Sequence, residues 1–199
     1  TRLGPAERRL VALDFDGVLA PIVDHPDHAR ASEATLDAVR ALAARTAVAI
    51  VSGRELEDLR ERMGEVDVTW AGGQGAQLRY ADGTEGRLVD LESVTPTLDE
   101  LETSLADLVD AEPGWLVERK AASLAVHHRL ADPATVEQLL PRVAAHLELR
   151  REEGPGFDLL SGKAVLELRA RGADKGGALA HVAESYPGLL PLAVGDDTT

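Results

Sequence analysis

Leu10-Val11-Ala12-Leu13-Asp14-Phe15-Asp16-Gly17-Val18-Leu19-Ala20-Pro21-Ile22 carries an unbroken apolar run into two carboxylates set two residues apart at a glycine turn. A strand covered on both faces reads as a continuous apolar run rather than an alternating one. In open α/β sheets ligands bind just beyond the carboxyl ends of such strands, so Asp14 and Asp16 are expected at the mouth of a site. Alternate strand residues share a face, which would aim both carboxylates the same way. Their repulsion calls for a cation or a shared proton, and a hard divalent metal is the natural partner. Asp also serves ordinary turns, so the pair alone does not separate chemistry from a plain loop.

Working outward, Ser32 precedes Leu36, Val39 and Leu42 at helical spacing, which predicts a capped amphipathic helix to about Ala44. Ala47-Val48-Ala49-Ile50-Val51 is a second buried run, ending in Ser52-Gly53-Arg54 before another helical pattern at Leu56, Leu59 and Met63. Near the other end, Ala173-Asp174-Lys175-Gly176-Gly177 opens a helix through Val182, and the run Leu189 to Val194 ends in Gly195-Asp196-Asp197. Strand, polar loop and helix recur, which predicts an α/β fold: a Rossmann-like parallel sheet with its functional loops along one edge.

Between about Thr95 and Arg171 the pattern changes. A helix (Leu98, Leu101, Leu105, Leu108) is followed by alternating segments at Trp115 to Lys120 and Ser123 to Arg129. A second helix from about Pro133 to Leu147 leads to short strands at Phe157 to Leu160 and Lys163 to Leu168. Helix-strand-strand, twice, predicts a small inserted α+β domain with an antiparallel sheet. The expected domains are therefore 1–94 and 172–199 for the core and 95–171 for the insertion. Period-two alternation places Trp115, Val117, Leu124, Val126, Leu166 and Leu168 on the face toward the helices. The opposite face takes Glu118, Lys120, Ser123, His127, Arg129, Lys163 and Glu167, either as a solvated surface or as a cover that holds a hydroxyl-rich ligand.

Composition narrows the classes. The 199 residues are 44% hydrophobic but include only two each of Trp, Tyr and Phe, so Leu, Val and Ala must build the core. A formal net charge of −14 argues against nucleic acid or anionic membranes as partners. The absence of cysteine leaves oxygen or imidazole ligands for any metal. No apolar run suffices to span a bilayer and Thr1 to Pro5 lacks a signal-peptide pattern, which makes the cytoplasm the default location. The chain opens at Thr1 and stops at Thr199, just beyond Asp196-Asp197, and reads as trimmed at both ends. His25 and His28 read as surface residues, His128 as facing the helices, and Arg150 to Glu153 as a solvated loop.

Together, Asp14-x-Asp16, Ser52, Lys175 and Asp196-Asp197 make a complete set for metal-assisted phosphoryl transfer. One carboxylate can attack phosphorus, a second can act as acid and then base, and Mg²⁺ neutralises charge. Ser52 and Lys175 would hold the phosphoryl oxygens. In this order the motifs Leu13-Asp14-Phe15-Asp16-Gly17, Ser52-Gly53-Arg54, Lys175-Gly176 and Gly195-Asp196-Asp197 resemble those of the haloacid dehalogenase-like (HAD) phosphatase superfamily. Within it the chain is similar to the trehalose-6-phosphate phosphatases, on Asp14 to Ile22, Val117-Glu118-Arg119-Lys120, His127-x-Arg129, Gly162-Lys163 through Glu167, and Gly195 to Thr199.

That resemblance implies a HAD core with an inserted cap, Asp14 as nucleophile and Asp16 as general acid/base. It implies Mg²⁺ on the Asp14 and Asp196 carboxylates and the Asp16 main-chain carbonyl, phosphate on Ser52, Gly53 and Lys175, and Asp197 in support. Glu118, Lys120 and Glu167 match the family's sugar-binding positions, with His127 and Arg129 beside them. Arg54 carries a weaker supporting role, set against a plain surface pair. Val18 stands where the family often has Thr, and Gln74-Gly75 where it frequently has His-Gly. The implied activity is hydrolysis of trehalose 6-phosphate; the alternatives are another sugar phosphate or a glycosyl-phosphoglycerate as substrate, and a non-catalytic phosphosugar-binding domain.

Overall fold

In the computed structural model, which describes residues 9–23, 26–153 and 156–195, the first apolar run forms strand β1, Arg9–Leu13. Its parity sorts the core. Val11 and Leu13 join Val48, Ile50, Leu36, Val39, Leu59, Met63 and Trp70 in one apolar cluster, and Phe15 continues that parity. Leu10 and Ala12 join Ala49, Val51, Ala178 and Val182 in another. The strand is thus covered on both sides, which explains the unbroken run, and each such Leu, Val or Ile contributes roughly 1.5–3 kcal/mol by leaving water.

Helices α1 (Glu33–Ala43) and α2 (Leu56–Met63) supply the first cluster, and α5 (Lys175–Glu184) the second. Ser32 caps α1 as expected, its hydroxyl accepting from the Thr35 N–H. β1 lies between β2 (Ala47–Val51) and β10 (Leu190–Val194), parallel to both, and β3 (Thr69–Gly72) pairs parallel with β2. The sheet order is β10-β1-β2-β3-β4-β5. Its last two members, β4 (Gln77–Arg79) and β5 (Glu85–Gly86), are antiparallel, so the sheet is parallel at its centre and mixed at one edge. Strands of two to four residues leave too short a pattern to be read from sequence.

The chain divides into two compact units, 1–88 with 172–199, and 89–171. The first division falls near residue 89 rather than 95, because α3 spans Leu91–Val109 and runs straight through Pro96. The true start is marked by Asp90, whose carboxylate caps the Glu92 N–H.

In the second unit β6 (Leu116–Lys120), β7 (Ser123–His127), β9 (Val165–Ala170) and β8 (Phe157–Gly162) form an antiparallel sheet in that order. Helices α3 and α4 (Pro133–Glu153) pack on it. α4 continues past Leu147, so Arg150 to Glu153 are helical and not a loop. Arg151 pairs with Glu148 one turn back and Arg150 reaches Glu100 of α3, which holds the last turn together. His128 stacks against the Trp115 ring at a centroid distance of 5.4 Å, and the Trp115 indole N–H donates to Thr135 of α4. His28 is exposed, and His25 lies outside the described residues.

The β8–β9 hairpin turns through Lys163-Ala164, with Ala164 at φ 61°. A methyl group is disfavoured in that region, so Ala164→Gly is expected to stabilise the chain, by about 0.5 kcal/mol after the entropy of the freer unfolded glycine is counted. A midpoint shift in urea unfolding with an unchanged slope checks it.

Candidate active site

The parity that sends Leu10 and Ala12 toward α5 also carries Asp14 to that side, where α5 begins with Lys175. Asp14 is 6% exposed. Its Oδ2 accepts from Lys175 Nζ at 2.5 Å, its Oδ1 accepts from the Phe15 N–H at 2.7 Å, and its own N–H donates to the Val194 carbonyl. Asp174 caps α5 through the Gly177 N–H, so the helix start that presents Lys175 is fixed from within.

Asp16, two residues on, has a cation of its own. Arg54 grips it as a fork, with Nε on Oδ2 and Nη2 on Oδ1, both at 2.8 Å. The Arg54 side chain is only 13% exposed, and its guanidinium lies 5.3 Å from the centroid of the buried Phe15 ring. Hydrogen bonding to Asp16 holds Arg54 above its ordinary pKa, outweighing the burial that lowers it. Each carboxylate meets a side-chain cation of its own, since the chain leaves the strand at Leu13. Arg54 is no plain surface pair, because Phe15 and Asp58 enclose it.

Ser52, 1% exposed, directly follows β2, and its hydroxyl accepts from the Arg54 N–H. This loop is stitched to residues 71–75: Ser52 N–H donates to the Ala71 carbonyl, Gln74 N–H to Ser52, and Gly73 N–H to Arg54. At Gly72 a Cβ would fall 2.5 Å from the Leu56 nitrogen, so a bare backbone lets the start of α2 approach β3. Gln74 takes a left-handed conformation, φ 57°, and its side chain lies against Gly53. The ends of β1 and β2, the loop into α2 and the start of α5 thus bring Asp14, Asp16, Ser52, Gly53, Arg54 and Lys175 together at the carboxyl end of the parallel strands. Asp196 and Asp197 lie outside the described residues. Among the described residues no group of three acidic, His or Cys side chains stands ready to hold a metal.

In the second unit, Glu118, Lys120, His127 and Glu167 lie on one sheet face, since Glu118 pairs with Ala125 and Ala125 with Glu167. Glu118 Oε2 stands 2.9 Å from His127 Nε2 and 3.2 Å from Lys120 Nζ. Burial pushes the Glu118 carboxyl up, but His127 and Lys120 together outweigh it and leave it below its usual range. Glu167 Oε1 is buried without a hydrogen-bond partner among the described residues. Arg129 does not join them: β7 ends at His127, and Arg129 sits exposed in the following turn. Lys163 is likewise in a turn. Asp58 and Arg62 were not singled out from sequence, although the four-residue spacing of Arg54, Asp58 and Arg62 is visible there.

The first unit has the fold of the haloacid dehalogenase-like hydrolases. A family model for trehalose-phosphatase matches residues 12–199, and the chain belongs to that family. It is 37% identical over 198 residues to a trehalose-phosphate phosphatase of Mycolicibacterium paratuberculosis, covering 95% of this chain and 49% of that protein. It is also 37% identical over 207 residues to an uncharacterised glycosyl hydrolase of Mycobacterium tuberculosis, covering 100% of this chain and 15% of that protein. The chain thus spans half or less of these relatives' lengths. Among solved structures, the C-terminal domain of trehalose-6-phosphate phosphatase from C. albicans matches with a TM-score of 0.73 at 24% identity, over 95% of this chain and 69% of that one. Among the described residues no helix is long and apolar enough to cross a membrane.

Proposed function

We propose that this chain hydrolyses trehalose 6-phosphate to trehalose and phosphate. The observation that carries the chemistry is the pair of separately held carboxylates: a buried Asp14 on Lys175 and a half-exposed Asp16 on Arg54, beside Ser52. A carboxylate attacking phosphorus must be aimed, and one exchanging protons with substrate must be reachable. Asp14 forms a bond from a carboxylate oxygen to phosphorus while the bond from phosphorus to the sugar oxygen breaks, and Asp16 gives that oxygen its proton. Asp16 then takes a proton from water, whose oxygen displaces Asp14 from phosphorus and frees phosphate. Ser52, the Gly53 main chain and Lys175 hold the phosphoryl oxygens as their charge redistributes.

The Asp14 carboxylate and the Asp16 main-chain carbonyl are hard oxygen donors suited to Mg²⁺, with Asp196 as the third. When bound, the ion supplies positive charge to the phosphoryl group. Sugar recognition is assigned to Glu118, Lys120, His127 and Glu167, whose acceptors and donors on one face match a hydroxyl-rich ligand. The family match and the trehalose-phosphate phosphatase relatives support this substrate over other phosphosugars.

Phosphate release with Mg²⁺ from trehalose 6-phosphate, beside glucose 6-phosphate, sucrose 6-phosphate and glucosyl-3-phosphoglycerate, tests it. Preference for trehalose 6-phosphate is the expected result. Preference for another ester overturns the substrate and keeps the chemistry. Binding without release from any would make the chain a phosphosugar-binding domain.

A further inference from the structure

Arg54, Asp58 and Arg62 follow one another at four-residue intervals, Arg54 just before α2 and Asp58 and Arg62 on one face of it. Arg54 Nη1 donates to Asp58 Oδ2 at 3.1 Å, and Arg62 Nε donates to Asp58 Oδ1 at 2.6 Å. At its far end Arg62 Nη1 donates to the main-chain carbonyls of Asp27 and Ala29, at 2.8 and 3.0 Å. The Arg62 side chain is 6% exposed. An exposed ladder of alternating charges needs no such anchor, and long side chains at a surface keep most of their rotamer freedom. Here the chain of contacts starts on the main chain of Asp27 and of the buried Ala29 and ends in the fork on Asp16. Each guanidinium is planar, so gripping one carboxylate sets the angle at which it meets the next. Asp58 itself is held below the usual carboxylate range, first by the Arg62 hydrogen bond, against burial, and then by Arg54.

We propose that Asp58, backed by Arg62, is a positioning residue that acts through Arg54 to fix the orientation of the Asp16 carboxylate. This rests on the reading of Asp16 as the acid that protonates the leaving oxygen. Asp58 touches neither Asp16 nor, on this assignment, the substrate. Its path to Asp16 runs through Arg54, while its other partner, Arg62, anchors it from behind, and that makes the coupling testable.

The experiment is a double-mutant cycle of Asp58→Asn, Arg54→Met and the double variant, with two readouts. The first is kcat/KM for an alkyl ester, trehalose 6-phosphate, against p-nitrophenyl phosphate, whose leaving group departs without a proton. Asp58→Asn is expected to lower the alkyl-to-aryl ratio by about tenfold, a part of the ~10²–10⁴ that a positioned general acid contributes. In the Arg54→Met background the same change is expected to move the ratio less than about twofold. Equal losses on both esters, or additive losses in the double variant, would mean a merely structural ladder and overturn the proposal. The second readout is solvent exchange of the Arg54 Nε–H by NMR, which needs no turnover. Asp58→Asn is expected to speed it by about tenfold as the clamp opens, and an unchanged rate overturns the proposal. If neither ester is hydrolysed, the phosphatase reading fails and the exchange rate still decides the relay.

Discussion

Asp14→Asn is expected to abolish phosphate release, lowering kcat by at least about 10⁴-fold, because the carboxamide cannot form the phosphoryl bond assigned to Asp14. The fold should persist with a measurable loss. One oxygen can still accept the Phe15 N–H, but the amide nitrogen then faces Lys175 Nζ, which now lies 2.5 Å from Oδ2. A hydrogen bond to a charged group is replaced by two opposed donors, at a cost of about 1–3 kcal/mol. For a chain of this length that corresponds to a midpoint roughly 3–10 °C lower by thermal unfolding. Activity near that of the parent chain would remove Asp14 as nucleophile. A collapse of the far-ultraviolet spectrum would show instead that the Asp14–Lys175 pair is required for folding.

Gly75→Ala is expected to have the largest effect on stability among substitutions near the site. Gly75 has φ 92°, and a Cβ there would lie 2.5 Å from the Ala178 Cβ and 2.8 Å from Leu88 Cδ1. Ala178 is fully buried in α5, one turn after Lys175. Backbone strain of about 1 kcal/mol adds to overpacking of about 1–3 kcal/mol, giving a loss of roughly 2–4 kcal/mol. The relief available is to push α5 outward, which moves the ammonium that holds Asp14. Unfolding in urea should therefore show the lost stability, and phosphate release by the protein that remains folded should fall as well. A stable Gly75→Ala variant of full activity would mean that α5 can shift without moving Lys175.

Phe15 shows why the main elements were legible in the sequence. The strand residues before it alternate between two apolar clusters, and that demand for burial on both sides is written locally as the run from Leu10 to Leu13. The same holds for Ala47 to Val51, for the Ser32 cap, and for the alternation that placed Glu118, Lys120, His127 and Glu167 on one face. Arg129 failed this test because alternation has meaning only while the strand lasts, and no residue pattern marked its end at His127. Pro96 does not end α3, since the packing of Val94, Leu98 and Leu101 outweighs one missing hydrogen bond.

By itself, then, the sequence determined the α/β core, the inserted α+β unit and the motif order that points to phosphoryl transfer, since each depends on local periodicity and on residue type. Tertiary structure alone decided which cation meets which carboxylate. Lys175 is 161 positions from Asp14 and Arg54 is 38 from Asp16, and no local pattern encodes a pairing across such separations. It depends on how β1, β2 and α5 pack, and on strand parity, which turns Asp14 toward one face while the turn that follows delivers Asp16 to another element.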